Sequence, residues 1–148
     1  MKGKDKLKQS FYSKYLGKLI KKYKLENNVE FLGFLSGEKM AERFLKSNVF
    51  VSPSSIENSP NSVGEAMLLG VPTVSSDVGG VKNMLTHEQE GFIYPADEPY
   101  MLEYYVSKIF EDSDLAYKFS KNAKEHAEHT HNRSLNGKTL MEIYNKIQ

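Results

Sequence analysis

The sequence predicts an α/β protein built on a parallel sheet. Short apolar runs, at Val29 to Leu32, Val49 to Val51, Pro72 to Ser76 and Gly91 to Tyr94, alternate with stretches of helical periodicity, the pattern of strands joined by crossover helices. Val49-Phe50-Val51 is apolar at successive positions rather than alternate ones, as in a strand buried on both faces. The chain has 148 residues, 39% hydrophobic and 26% charged, which is one domain's length with an ordinary core.

The elements follow in order. Phe11, Tyr15, Leu16, Leu19, Ile20 and Tyr23 recur at helical spacing among lysines, so a first amphipathic helix is expected from about Lys4 to Tyr23, ending before Asn27-Asn28. Val29 to Leu32 reads as a strand closed by Gly33. Glu38 to Ser47 reads as a helix carrying Met40, Ala41, Phe44 and Leu45 on one face, capped by Ser36 or Gly37. The strand at Val49 to Val51 ends in Ser52-Pro53-Ser54-Ser55, and a helix starting at Ser62 or Val63 stops at Gly70 and Pro72. A strand from Pro72 to Ser76, a Gly79-Gly80 turn, a short helix from Val81 to Leu85 and a strand from Gly91 to Tyr94 come next. Helices are expected at Tyr100 to Phe110, Asp114 to His129 and Gly137 to Ile147, the last with Leu140, Ile143, Tyr144 and Ile147 in a stripe.

Composition excludes several classes. There are no cysteines, hence no disulfide, thiolate nucleophile or zinc ribbon. No apolar run approaches the length of a membrane span. The net charge of +1 conceals an asymmetry: the first 24 residues hold nine lysines against Asp5, and the remainder is acidic. The plain reading of those lysines is the wet face of a helix. Peripheral membrane contact also fits them, and nucleic-acid binding lacks any accompanying motif. His126, His129 and His131 are poorly spaced for one helical face, so no metal site is expected.

The chemistry concentrates between residues 49 and 80. In open α/β sheets ligands bind beyond the carboxyl ends of the strands, and amides at a following helix start attract phosphate. The loop after Val51 carries Glu57, Asn58, Ser59, Pro60 and Asn61 and runs into such a helix start at Ser62 and Val63. Glu65 falls in the expected first turn, where Ser62-x-x-Glu65 also reads as a capping box. Glu57 alone reads as a solvated turn residue. Gly79 and Gly80 let backbone come close to whatever the loop holds, or simply form a tight turn.

Glu57 and Glu65 stand in the pattern Pro53-Ser54-x-x-Glu57-x7-Glu65-Ala66-Met67-x-x-Gly70-x-Pro72. Together with Val29-Glu30-Phe31-Leu32-Gly33 before it, and Asp77-Val78-Gly79-Gly80 and Gly91-Phe92-Ile93-Tyr94-Pro95 after it, this resembles the C-terminal, donor-binding domain of retaining glycosyltransferases of the GT-B fold, family 4 (glycosyl transferases group 1). The resemblance covers roughly residues 25 to 148 and implies a Rossmann-like sheet, one incomplete half of a GT-B fold. It implies that Glu65 takes the ribose hydroxyls of a nucleotide-sugar donor and that Glu57, the catalytic candidate, lies against the transferred sugar. The amides of Asn58 to Val63, with Ser59, Asn61 and Ser62, would grip the diphosphate, Gly79 and Gly80 would approach the sugar, and Gly33 and Phe34 would border the base. Neither a metal nor another cofactor is implied. Asn58-Ser59-Pro60-Asn61 replaces the Gly-Phe-Gly-like run of many members, and Asn83 stands where the family often has glutamate.

The resemblance starts partway through the family's donor domain. It implies two further strands ahead of Val29 and an acceptor-binding domain ahead of those, so the chain alone is expected to be inactive. With those strands absent, Val49 to Val51 would be left as an open edge. Association of two copies through that edge is one expected repair, with the first helix across the joint, and movement of Val29 to Leu32 beside it is the other. The expected reaction moves a hexose from a UDP-sugar to a glycan or lipid-linked acceptor in polysaccharide synthesis, in the cytoplasm or at the inner face of its membrane. Two other readings are a non-catalytic nucleotide or polyanion module and a glycoside hydrolase using Glu57 and Glu65 as its carboxylate pair.

Overall fold

A computed structural model describes residues 11–147. The chain divides into two units, one ending at Met40 and one beginning at Ala41.

In the first unit, helix α1 spans Phe11–Lys22. Lys24 ends it in the left-handed region, at φ 55°, and the Lys24 and Leu25 amides donate to the Lys21 and Ile20 carbonyls at 3.2 and 2.9 Å. These are the paired closing bonds usually built on glycine. The expected helix before Phe11 lies outside the described residues. Val29 to Leu32 forms no strand, which corrects the sequence expectation. Val29, Phe31 and Leu32 are 41, 52 and 39% exposed. An apolar run becomes a strand only when a neighbour satisfies its backbone, and among the described residues no strand pairs with it. Helix α2, Gly37–Phe44, spans the division between the units.

In the second unit, strands β1 (Phe50–Ser52), β2 (Thr73–Ser76) and β3 (Gly91–Tyr94) form a parallel sheet in the order β1-β2-β3. Phe50 pairs with Thr73, and Thr73 with Gly91. Helices α3 (Asn61–Leu68) and α4 (Val81–Met84) lie between the strands, and α5 (Pro99–Glu111), α6 (Ser113–Thr130) and α7 (Arg133–Ile147) follow β3. Both faces of the sheet are covered. Ile93 packs with Val63 and Met67 of α3, Val81, Leu85, and Ala123 and Ala127 of α6. Phe92 and Tyr94 point the other way and pack with Val74, Ile109 and Phe119. Every residue of β2 and β3 is buried, so the two-sided burial inferred for Val49 to Val51 describes its neighbours best. β1 itself is the edge: among the described residues no strand lies on its outer side.

The helix ends have local causes. Asp112 caps α6 by accepting from the Leu115 amide at 2.9 Å. Gly70, at φ 68°, ends α3, with the Gly70 and Val71 amides donating to Met67 and Ala66 at 2.9 Å each. Among the described residues Val29 to Leu32 does not pair with β1.

Candidate donor site

The site is the mouth formed by the β1–α3 loop, the amino end of α3 and the turn after β2. Two buried hydroxyls root the loop. Ser76 Oγ donates to the Ser54 carbonyl at 2.6 Å and lies 3.3 Å from that of Ser52, and Ser75 Oγ lies 3.5 Å from the Ser52 carbonyl. Polar side chains in a fully buried strand need partners, and here the partners are the carbonyls that set where the loop leaves β1. Ser75 and Ser76 went unnoticed in the sequence, although two hydroxyls in a buried strand were the available signal.

The Gly79-Gly80 turn closes on this loop. Gly79 has φ 53°, and a Cβ there would lie 2.0 Å from the Glu57 carbonyl oxygen and 2.7 Å from that of Asn58. The Gly80 amide donates to the Asn58 carbonyl at 2.6 Å. The glycines' close approach is thus to the backbone of the loop carrying Glu57. Glu57 itself is exposed, with Ser54 Oγ donating to its Oε1 at 3.4 Å. Ser59 Oγ reaches Met84 Sδ at 3.5 Å, tying the loop to α4, and Lys82 pairs with Asp77 at 2.5 Å beside the turn.

Helix α3 starts at Asn61, with buried Pro60 at its N-cap and no side-chain cap. This corrects two expectations: Ser62 is the helix's second residue, so no capping box forms, and Glu65 is its fifth residue, beyond the first turn. Glu65 is exposed and carries no capping duty. Val63, expected among the diphosphate-binding amides, is engaged in the first turn of the helix. Its side chain is fully buried and its amide donates to the Pro60 carbonyl at 3.0 Å. The Asn61 and Ser62 amides, as the first two of the helix, have no intrahelical acceptor. Asn58, Ser59 and Asn61 are exposed and Ser62 half-buried. Gly33 (φ 67°) and Phe34, 99% exposed, belong to the first unit.

The histidines have structural neighbours. His126 Nδ1 lies 2.9 Å from Glu90 Oε1, whose other oxygen accepts from the Thr86 amide at 2.7 Å. A Cβ on Gly64 would lie 2.5 Å from His131 Nε2, so that ring rests against α3. Among the described residues no three His, Cys, Asp or Glu side chains converge as a metal site.

A parallel sheet with a carboxylate loop and an uncapped helix start at one strand end defines a Rossmann-like α/β domain, in which ligands bind beyond the carboxyl ends of the strands. More particularly, the family model for glycosyl transferases group 1 matches residues 9–126, and the chain belongs to that family. It is 26% identical to the putative colanic acid biosynthesis glycosyltransferase WcaL of Escherichia coli over 139 residues, 89% of this chain and 34% of that one. Among solved structures, sucrose-phosphate synthase from Thermosynechococcus elongatus superposes with a TM-score of 0.83 at 26% identity, covering 92% of this chain and 34% of that one. Anabaena HepE in complex with UDP gives 0.80 at 25%, covering 90% and 37%. The chain spans about a third of the length of its curated relatives, 28, 34 and 33% for three of them. The GT-B-type α/β fold expected from the sequence is the fold observed.

Proposed function

We propose that this chain is the donor-binding part of a retaining glycosyltransferase that moves a sugar from a UDP-sugar to a glycan or lipid-linked acceptor in polysaccharide synthesis, on the cytoplasmic side of the membrane. The observation that carries the reading is the clasp of Gly79 and Gly80 on the Glu57–Asn58 backbone. It fixes one carboxylate at the mouth where α3 presents free amides, while Glu65 lies exposed further along the same helix. HepE, 25 and 27% identical, has been solved with UDP and with UDP-glucose, which supports a uridine donor.

In this reading the Asn61 and Ser62 amides take the diphosphate, whose negative charge grows as the sugar leaves; fixed dipoles already aimed at that charge lower the barrier. Glu57 faces the sugar and supports the positive charge developing at its reacting carbon. Glu65 accepts from both ribose hydroxyls, the natural use of a carboxylate with no competing cap. The acceptor is bound by parts of the enzyme beyond this chain. Amides rather than a divalent cation meet the diphosphate, so UDP affinity should be the same in EDTA.

Titration of the chain with UDP, GDP and ADP, followed by amide chemical shifts, tests the reading. UDP should shift Asn61, Ser62 and Glu65 most. Saturation by none of the three, or shifts confined to residues away from the mouth, would overturn it.

A further inference from the structure

Helix α1 divides its surface in an unusual way. At about 100° per residue, Lys14, Lys18, Lys21 and Lys22 fall in one arc, Phe11 and Tyr15 lie within or beside that arc, Leu16 and Ile20 lie across from it, and Leu19 and Tyr12 stand between. The aliphatic residues are partly covered, whereas Phe11, Tyr12 and Tyr15 are 96, 68 and 56% exposed. Lys22 Nζ sits 5.2 Å from the centre of the Tyr23 ring, itself 59% exposed. The helix thus half-buries its aliphatic side chains and turns Phe11, Tyr15 and the ammonium groups outward together. No acidic residue occurs between Phe11 and Lys22, and four more lysines precede them in sequence.

We propose that α1 docks this chain on an anionic lipid surface, lying in the plane of the interface with Phe11 and Tyr15 at headgroup depth and the lysines on lipid phosphates. Rings with a polar tip and lysines with long apolar stems are the side chains that such a boundary favours on one helix face. Charge chooses this occupant over the alternatives. A second copy would bring the same uncompensated lysines to the joint. A single-stranded nucleic acid needs a groove floored with rings, and this surface is the convex crest of a helix. Beyond residue 24 the chain carries 11 basic and 18 acidic residues, so the attraction to an anionic bilayer comes from the α1 segment. The proposal does not depend on the donor reading.

The chain has no tryptophan, so Phe11→Trp gives a unique reporter at the most exposed ring. The full chain with this change is mixed with vesicles of phosphatidylcholine alone, and of equal parts phosphatidylcholine and phosphatidylglycerol. The expected result is binding to the mixed vesicles only, a blue shift of the emission on binding, and at least tenfold weaker binding when salt shortens the screening length from about 30 Å to about 8 Å. Adding Lys14→Glu and Lys18→Glu should weaken binding by tenfold or more, and Tyr15→Ser should weaken it while the circular dichroism stays unchanged. Lack of binding, equal binding to both vesicle types, or binding without a blue shift would overturn the proposal. Tighter binding to a single-stranded oligonucleotide than to the mixed vesicles would overturn it in favour of nucleic acid.

Discussion

Gly79→Ala tests the clasp that positions the loop carrying Glu57. Two costs add. An alanine at φ 53° loses about 1 to 2 kcal/mol to left-handed backbone strain. Its Cβ would also stand 2.0 Å from the Glu57 carbonyl oxygen, a backbone atom with no rotamer by which to move away. The turn must lift off the loop, and the Gly80-to-Asn58 bond of 2.6 Å goes with it, a further 0.5 to 1.5 kcal/mol or so. Roughly 1.5 to 3.5 kcal/mol is expected in urea unfolding, with a matching loss of UDP affinity because Glu57 and Asn58 move. Gly70→Ala is the control. Its φ of 68° carries similar strain, but its new Cβ would meet the Ser120 hydroxyl at 3.0 Å, a side chain that rotates. It should cost about 1 to 2 kcal/mol and leave UDP binding alone. If Gly79→Ala costs no more than Gly70→Ala and binds UDP normally, the clasp does not position the loop.

Three further outcomes are expected. Glu65→Ala should weaken UDP binding by about 1.5 to 3 kcal/mol, the range for hydrogen bonds to a charged group, with unfolding unchanged because α3 has no cap on that residue; a loss of stability without loss of affinity would refute the ribose role. In a catalytically active enzyme carrying this sequence, Glu57→Ala should lower turnover far more than it weakens UDP binding, and equal losses would remove Glu57 from the chemistry. The parallel register places Phe50 and Ser52 against β2 and turns the Val51 N–H to the open edge, so light scattering should show concentration-dependent association that Val51→Pro abolishes without unfolding the sheet. A monodisperse wild-type monomer at high concentration would refute that edge pairing.

The fold was legible where local and tertiary signals agree. The strands at Pro72 to Ser76 and Gly91 to Tyr94 sit within a residue of their predicted ends. The helix at Asp114 to His129 needed only its periodicity, and Asp112 marks its start as a side-chain cap. Val29 to Leu32 misled because its composition records a place in a sheet whereas strand formation requires the neighbour as well. At the site, the order of Glu57, Glu65, Gly79 and Gly80 was readable as a pattern. The contact of Gly79 with the Glu57 backbone was not, because it joins residues 22 apart in the sequence through carbonyl groups that every residue possesses.

The start of α3 shows how one residue of register changes the chemistry. Were Ser62 the N-cap, its hydroxyl and the Glu65 carboxylate would satisfy two of the helix's free amides, and both side chains would be spent on the fold. With Pro60 at the N-cap, the helix begins at Asn61, and Pro60 has neither a side-chain acceptor nor an N–H. The helix forgoes about 1 kcal/mol that a Ser or Asp cap contributes. In exchange, the Asn61 and Ser62 amides keep their positive ends directed out of the helix, and the Glu65 carboxylate, exposed and uncommitted, remains available as an acceptor. A bound diphosphate would supply the missing cap from outside. Stability of α3 and affinity for the donor are then coupled through the same two amides. Replacing Pro60 by Ser or Asp should therefore raise the unfolding free energy of the unliganded chain and weaken its binding of UDP, the first measured by urea titration and the second by chemical shift. A gain in both would mean that the amino end of α3 is not where the diphosphate sits.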